Sequence, residues 1–244
     1  MPPLEDLGPL RARVIASAGK HTEKTDGVPL AIVLMHGFGA SGDDLVGLAG
    51  ELDAPPGSVF LFPHAPHDLA ELTGEPGYAG ARAWWLVDFA ARERAIREGT
   101  VRDLSRQVPE GLAEARAAVS AMLDAARARY PEHRVVLGGF SQGAMLTLDV
   151  ALRDPARALA GLVLLSGTII AEDEWIPRLA TRKDVPVFQS HGRQDPILPF
   201  PVAERLHELL VAQGFRAAWA PFDGPHTIAA STMNGLNAWL REQG

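Results

Sequence analysis

Cysteine is absent from this 244-residue chain, which excludes disulfides, thiolate metal ligands and thiol nucleophiles. No apolar run approaches the roughly 18 residues that a membrane-spanning helix needs. Residues 1–10 carry Glu5 and Asp6 instead of a basic start followed by an apolar stretch, so no signal peptide is predicted and a cytoplasmic location is expected. The net charge of −7 comes without a basic stripe, which disfavours nucleic acids and membranes as partners.

Glycine and proline are abundant, with 24 and 19 residues, while the hydrophobic fraction reaches 47%. That much apolar surface can offset the entropy of ordering the chain, so disorder is excluded as the main state. The glycines show no period of three, which excludes a collagen-like repeat. The composition therefore predicts a globular protein rich in loops.

Short apolar runs alternate with helix-period segments along the chain. The predicted strands are 11–17, 30–35, 59–62, 134–140, 162–165, 185–190 and 215–220, and the predicted helices are 41–53, 110–130, 142–153, 200–213 and 228–241. This alternation predicts an α/β fold with a mostly parallel sheet and one domain. Ligands of such sheets bind in the loops at the carboxyl ends of the strands.

The first of these loops contains a glycine pattern typical of dinucleotide-binding sites. Residues 37–42 match G-x-G-x-x-G between a predicted strand and a predicted helix. A dinucleotide site also needs an acidic residue at the end of the next strand, and there the sequence has Pro63 and His64 instead. A nucleotide-binding oxidoreductase is therefore the weaker interpretation of this loop.

A second glycine pattern, G-x-S-x-G at residues 139–143, lies between a predicted strand and a predicted helix. This is the setting of a nucleophile elbow, whose flanking glycines permit a tight turn that exposes the serine hydroxyl. Ser141 is therefore the candidate nucleophile. The alternative is that Ser141 only caps the helix, as serines often do.

A serine nucleophile needs a base, which follows it in this kind of fold. His226 lies in the loop after the last predicted strand and is the best candidate for the base. His191 precedes the acid candidate and so comes too early in the chain, and His207 falls inside a predicted helix.

Asp195 is the best candidate for the acid that orients the base, because it follows a predicted strand and lies between Ser141 and His226 in the chain. Asp223 is the rival, although an Asp before Gly-Pro is typical of a turn. The other aspartates considered lie in the elbow helix or its end, or in a loop far from a strand end: Asp149, Asp154, Asp173 and Asp184.

The oxyanion of a tetrahedral intermediate needs two backbone N–H donors. One is expected from Gln142, which follows the nucleophile, and the other from Phe38 in the first glycine-rich loop. His36 would then support this loop and not act as a base.

Together these segments resemble the phospholipase/carboxylesterase family of α/β hydrolases, which includes bacterial carboxylesterases and acyl-protein thioesterases. The matching segments are HGFG at 36–39, GFSQG at 139–143, HGRQDPILP at 191–199 and GPH at 224–226. The resemblance implies an α/β-hydrolase fold with helices on both faces of the sheet, formed by residues 1–244 as a single domain with an irregular, cap-like excursion at about 64–109. It also implies a triad of Ser141, Asp195 and His226, and an oxyanion hole of Phe38 and Gln142.

The same resemblance implies a serine carboxylesterase that acts on small-molecule esters with short- to medium-chain acyl groups, needs no cofactor and forms a homodimer. The alternatives are an acyl-thioesterase or a lysophospholipase of the same fold, or a binding module without catalysis. Two features depart from the family: Phe38 stands where Leu is usual, and the segment 85–109 carries five arginines, at positions 92, 94, 97, 102 and 106. The bulkier ring would narrow the acyl pocket, and the arginines, which alternate with acidic residues, predict a solvated face.

Three apolar residues are candidates for contacts with the substrate, namely Trp84, Ile197 and Leu198. Core packing is a comparable explanation for each of them, since large apolar side chains more often pack than bind. His64 and His67, with Asp68, are weak candidates for a metal site because no third spaced ligand follows, and no metal is expected.

Overall fold

The structure is a computed structural model that describes residues 1–17, 27–88 and 104–244, together with 94, 97 and 98. Its main feature is an eight-stranded sheet with the strand order β1-β2-β4-β3-β7-β8-β9-β10. These strands are β1 (Leu4–Leu7), β2 (Leu10–Ala16), β3 (Leu30–Met35), β4 (Val59–Pro63), β7 (Arg134–Phe140), β8 (Gly161–Leu165), β9 (Val187–Gly192) and β10 (Ala217–Phe222). A separate pair consists of β5 (His67–Asp68) and β6 (Arg82–Ala83).

The sheet is parallel from β4 to β10, and only β1 and β2 run antiparallel to their neighbours. The central strands are mostly buried, and β3, β8 and β9 are buried at every position. Near-continuous apolar runs are typical of parallel strands that are covered on both faces. The predicted α/β class with a mostly parallel central sheet is confirmed.

Six helices are described: α1 (Leu69–Thr73), α2 (Leu112–Arg129), α3 (Gln142–Arg153), α4 (Glu172–Leu179), α5 (Phe200–Ala212) and α6 (Ala230–Arg241). Single 3₁₀ turns lie at Val46–Gly50, Pro76–Tyr78 and Ala180–Arg182. Apolar residues of α2, α3, α4 and α5 form one core layer, while α6 and the segment 45–54 contribute to the other. In the described part of the chain, no helix has the length and apolar character to cross a bilayer.

Four features of the elements differ from the prediction. The excursion from residue 64 is not irregular throughout, because it contains β5, α1 and β6. The helix predicted over 41–53 is instead a series of turns with one 3₁₀ segment, because Gly42 packs against the His64 ring and Gly47 and Gly50 weaken a helix further. Strand β1 was not predicted, and it places β2, which covers most of the predicted strand 11–17, second in the sheet. Asp173 lies in helix α4 and not in a loop.

Candidate active site

Ser141 lies at the junction of β7 and α3, in a backbone conformation that few non-glycine residues adopt. Its φ and ψ are 55° and −114°. A Cβ on Gly139 would lie 2.6 Å from the Met35 carbonyl oxygen, and one on Gly143 only 2.1 Å from it. The two glycines therefore allow α3 and β7 to approach β3 closely enough for the sharp turn at Ser141.

Three side chains from distant parts of the sequence form one hydrogen-bonded chain. The Ser141 Oγ lies 2.8 Å from His226 Nε2, and His226 Nδ1 lies 2.6 Å from Asp195 Oδ2. The carboxylate accepts at Nδ1, which places the imidazole hydrogen there and leaves Nε2 free to accept from the serine hydroxyl. The side chain of Asp195 has no exposed surface, and that of His226 is 11% exposed.

The surroundings of Asp195 favour its ionised form. Burial alone would raise the pKa of this carboxyl group, but the contacts with His191 and His226 and the Leu198 N–H outweigh burial and hold it well below its ordinary value. Its Oδ1 accepts the backbone N–H groups of Ile197 and Leu198 at 2.8 and 2.9 Å. A negative charge therefore faces the His226 imidazole at neutral pH.

Backbone contacts hold the loop of Asp195 against the loop of His226. The N–H groups of Arg193 and Gln194 donate to the carbonyls of Phe222 and Gly224 at 2.9 and 3.0 Å. A Cβ on Gly192 would lie 2.3 Å from the Pro225 carbonyl oxygen, so only glycine fits there. The side chain of Asp223, the rival acid, is 86% exposed and lies 3.7 Å from the Arg193 guanidinium.

The first glycine-rich loop runs directly beside Ser141. A Cβ on Gly37 would lie 3.3 Å from the Ser141 Cβ. Gly39 has a φ of 76°, and its N–H donates to the Arg82 carbonyl at 2.9 Å, which attaches the loop to β6. Phe38, between these glycines, is partly exposed. The backbone N–H of Gln142 therefore follows Ser141 in the chain, and the loop that carries the candidate N–H of Phe38 lies beside Ser141 in space.

His36 supports that loop from below. Its Nδ1–H donates to the Gly37 carbonyl at 2.8 Å, and the Ala65 N–H donates to its Nε2 at 3.1 Å. Burial lowers the pKa of His36 to about 4, against the opposing effect of the bond to Gly37. His36 is therefore neutral at pH 7, and these contacts support the predicted structural role.

The side chain of Gln142 has a role that the sequence did not reveal. Its Oε1 accepts a hydrogen bond from the backbone N–H of Trp84, and its Nε2 donates to the backbone carbonyl of Trp85, each at 2.9 Å. The sequence predicts a role only for the backbone N–H of this residue, because a glutamine next to a candidate nucleophile carries no signal for a distant partner. The side chain thus fixes the N-terminus of α3 to the segment that follows β6.

The three candidate substrate contacts differ in exposure. Trp84 is 0% exposed, and its Nε1–H donates to the His36 carbonyl at 3.0 Å, so its ring belongs to the core behind the loop and offers no surface to a ligand. Leu198 is 9% exposed and Ile197 is partly exposed, both beside the acid.

Two of the three candidate metal residues, His64 and Asp68, have other partners. His64 Nε2 lies 3.0 Å from Asp43, which also binds Arg13, and Asp68 caps helix α1 and pairs with Arg82. Within the described ranges no group of three or more His, Asp or Glu side chains could hold a metal ion. Of the five arginines in segment 85–109, Arg94, Arg97 and Arg106 are exposed, and positions 92 and 102 lie outside the described residues.

The loop at 37–42 also lacks the geometry of a dinucleotide site. A pyrophosphate is bound at the N-terminus of the helix that such a loop opens. Here the His64 ring occupies the space beside Gly42, since a Cβ on Gly42 would lie 2.0 Å from that ring. Turns follow the loop instead of an α-helix.

Comparisons with known proteins agree with the fold. The family model described as phospholipase/carboxylesterase matches residues 13–243. The chain is 33% identical over 220 residues to an acyl-protein thioesterase 1 of Eremothecium gossypii, covering 86% of both chains. It is 27% identical over 227 residues to one of Cryptococcus neoformans, covering 86% of this chain and 91% of that protein.

Solved structures show the same fold. The crystal structure of esterase PE8 is 27% identical, with a TM-score of 0.74 and coverage of 96% of this chain and 99% of that one. Maize acyl-protein thioesterase 2 is 23% identical, with a TM-score of 0.67 and coverage of 96% and 98%, and supports the fold alone. The chain belongs to the phospholipase/carboxylesterase family and is a serine hydrolase of the α/β-hydrolase fold.

Proposed function

We propose that the protein is a carboxylesterase that hydrolyses short- to medium-chain acyl esters through an acyl-enzyme on Ser141. The hydrogen-bonded chain from Ser141 through His226 to Asp195 carries this proposal, with distances of 2.8 and 2.6 Å. A serine hydroxyl is a weak nucleophile at neutral pH, and a base oriented by a carboxylate activates it.

In the first half of the proposed reaction, Ser141 Oγ attacks the ester carbonyl while His226 Nε2 takes the hydroxyl proton. Asp195 stabilises the imidazolium that forms. The oxyanion accepts hydrogen bonds from the backbone N–H groups of Phe38 and Gln142, and Gln142 also lies at the N-terminus of α3. The C–O bond to the alcohol then breaks as His226 donates its proton to the leaving oxygen.

In the second half, water takes the place of the alcohol. His226 removes a proton from the water as its oxygen attacks the acyl carbon, and the second tetrahedral intermediate collapses with return of a proton to Ser141 Oγ. The carboxylic acid leaves, and water is the only co-reactant that this scheme requires. The single domain over residues 1–244, the cytoplasmic location and the homodimer stay predictions.

A substitution at Ser141 tests the proposed nucleophile. Ser141→Ala should lower kcat for p-nitrophenyl esters by at least about 10³-fold, with an unchanged circular dichroism spectrum. Ser231→Ala, at an exposed serine of α6, is the matched control and should keep full activity. Full turnover by the Ser141→Ala variant would refute the acyl-enzyme proposal, and a rate series over acyl length tests the preferred chain.

Thioester hydrolysis is the second candidate, because the relative that is 33% identical is named acyl-protein thioesterase 1. The two candidates can be compared with O-octanoyl-N-acetylethanolamine and S-octanoyl-N-acetylcysteamine, which differ in one atom. If the protein is an esterase, kcat/KM for the thioester divided by kcat/KM for the oxyester will not exceed the same ratio of their hydroxide-catalysed hydrolysis rates. A thioester preference well above that ratio would favour the second candidate.

A further inference from the structure

A second histidine touches the carboxylate that orients His226. His191 Nε2 lies 3.2 Å from Asp195 Oδ2, the same oxygen that accepts from His226. His191 belongs to the end of β9, four residues before the acid, and its side chain has no exposed surface. The carboxylate therefore lies between two imidazole rings.

The surroundings of His191 determine which nitrogen carries its hydrogen. Its Nε2 lies 2.9 Å from the carbonyl oxygen of Leu198, a group that can only accept. Its Nδ1 is buried and has no hydrogen-bond partner in the described part of the protein. A hydrogen on Nδ1 would be buried without an acceptor, which is costly, so the favoured tautomer is neutral with its hydrogen on Nε2.

The Nε2–H of His191 stabilises the turn that carries Asp195. The Leu198 N–H donates to Asp195 Oδ1 at 2.9 Å, while the Leu198 carbonyl accepts from His191. Both backbone polar groups of Leu198 are thus hydrogen-bonded, the N–H to the carboxylate and the carbonyl to the imidazole beside it. A turn fixed in this way holds the carboxylate in one orientation toward His226.

Few charged groups surround His191. Asp195 faces it directly, with His226 on the other side of that carboxylate. From α5, the centre of the Phe200 ring lies 6.3 Å from the centre of the His191 imidazole. The Arg193 guanidinium lies over this Phe200 ring, 4.9 Å from its centre. On β10 the residue opposite His191 is Pro221, and Asp223 beyond it pairs with Arg193.

We propose that His191 is a positioning residue of the hydrolytic reaction, which orients Asp195 and moderates the negative charge that Asp195 presents to His226. The inference rests on the proposed function, because it assigns a role through the proposed acid and base. His191 itself is buried and has no contact with a substrate.

Loss of the His191 N–H has two consequences. The carboxylate keeps more of its charge for His226, which favours the protonated imidazole, so the acid limb of the kcat/KM profile moves to higher pH. The carboxylate is also held less firmly, so kcat falls while KM changes little. A role in core packing alone would lower thermal stability without moving the pH profile.

The test compares two variants. His191→Phe keeps a ring but has no donor, whereas His191→Gln places an amide nitrogen near the position of Nε2. For His191→Phe we expect kcat to fall about 10- to 100-fold, KM to stay within twofold and the acid limb to move upward. His191→Gln should recover most of kcat and the wild-type profile. Thermal melting and circular dichroism establish that each variant is folded.

Two outcomes would overturn the proposal: wild-type kcat and profile in a folded His191→Phe variant, or equal losses in both variants with an unmoved acid limb. Nitrogen-15 NMR of the wild-type protein keeps the proposal testable if His191→Phe does not fold. It should find the His191 hydrogen on Nε2, and the opposite tautomer would refute the proposal. Ser141→Ala separates the two claims, since its full activity would refute the proposed function while leaving the measured tautomer intact.

Discussion

Ser141 adopts a φ of 55°, which a serine tolerates only where the surrounding structure enforces it. The glycine pattern around it predicted a tight turn, because the type of each residue can be read from the sequence. The contacts that make the turn necessary could not be predicted, since they involve Met35 on another strand. The sequence therefore predicted the position of the turn but not the contacts that surround it.

His36 provides a prediction about pH and stability. Its folded-state pKa of about 4 lies below the ordinary value of 6.5 because the ring is buried. Between these two pKa values the unfolded chain binds a proton that the folded protein does not. The contribution of His36 to the free energy of unfolding is therefore fully present above about pH 6.5 and is lost as the pH falls toward 4. The two values correspond to about 3 kcal/mol of free energy of unfolding.

Urea unfolding at pH 7 and pH 4 measures this contribution. The loss of stability between the two pH values should be about 3 kcal/mol smaller in His36→Gln than in the wild type. His133→Gln, at a partly exposed histidine, serves as the control and should retain the wild-type loss. An identical loss in His36→Gln and the wild type would show that His36 is not the group that titrates.

Among the elements, β3, β7 and α3 depend on one close contact at the nucleophile turn. A Cβ on Gly143 would lie 2.1 Å from the Met35 carbonyl oxygen, which belongs to the backbone and cannot move aside easily. Gly143→Ala should therefore lower the free energy of unfolding by about 3 kcal/mol or more, or prevent folding. Chemical denaturation of the purified variant provides the measurement.

The control for this substitution is Gly47→Ala, because nothing lies within 4 Å of a Cβ at Gly47. This variant should stay within about 1 kcal/mol of the wild type. Equal stability of the Gly143→Ala and Gly47→Ala variants would contradict the close packing of α3 on β3.

The elements that the sequence predicted well have strong local signals. β7 and α3 were predicted with their observed bounds, since one is a continuous apolar run and the other follows the glycine turn. β1 is only four residues long and α4 contains Pro177, so both lack a clear pattern. The predicted helix over 41–53 failed because Asp43 and Gly42 form tertiary contacts, with Arg13 and His64, that override local preference.

For the whole molecule, the parallel sheet explains how residues 85 positions apart come to share a hydrogen bond. Ser141, Asp195 and His226 each follow a strand, and the carboxyl ends of parallel strands meet at one edge. Chain order and strand ends were therefore enough to predict which three side chains would meet. The sequence did not predict the contact of His191 with Asp195 or the bonds of the Gln142 side chain to the backbone of Trp84 and Trp85, because each depends on side-chain directions that no local pattern encodes.

The central claim is that Ser141 is the nucleophile, and a fluorophosphonate tests it most directly. Reaction of the folded protein should add one equivalent of the probe, abolish ester turnover and place the added mass on the peptide that contains Ser141. The Ser141→Ala variant should gain no mass under the same conditions. An unmodified Ser141 in a protein that still hydrolyses esters at the full rate would contradict the account.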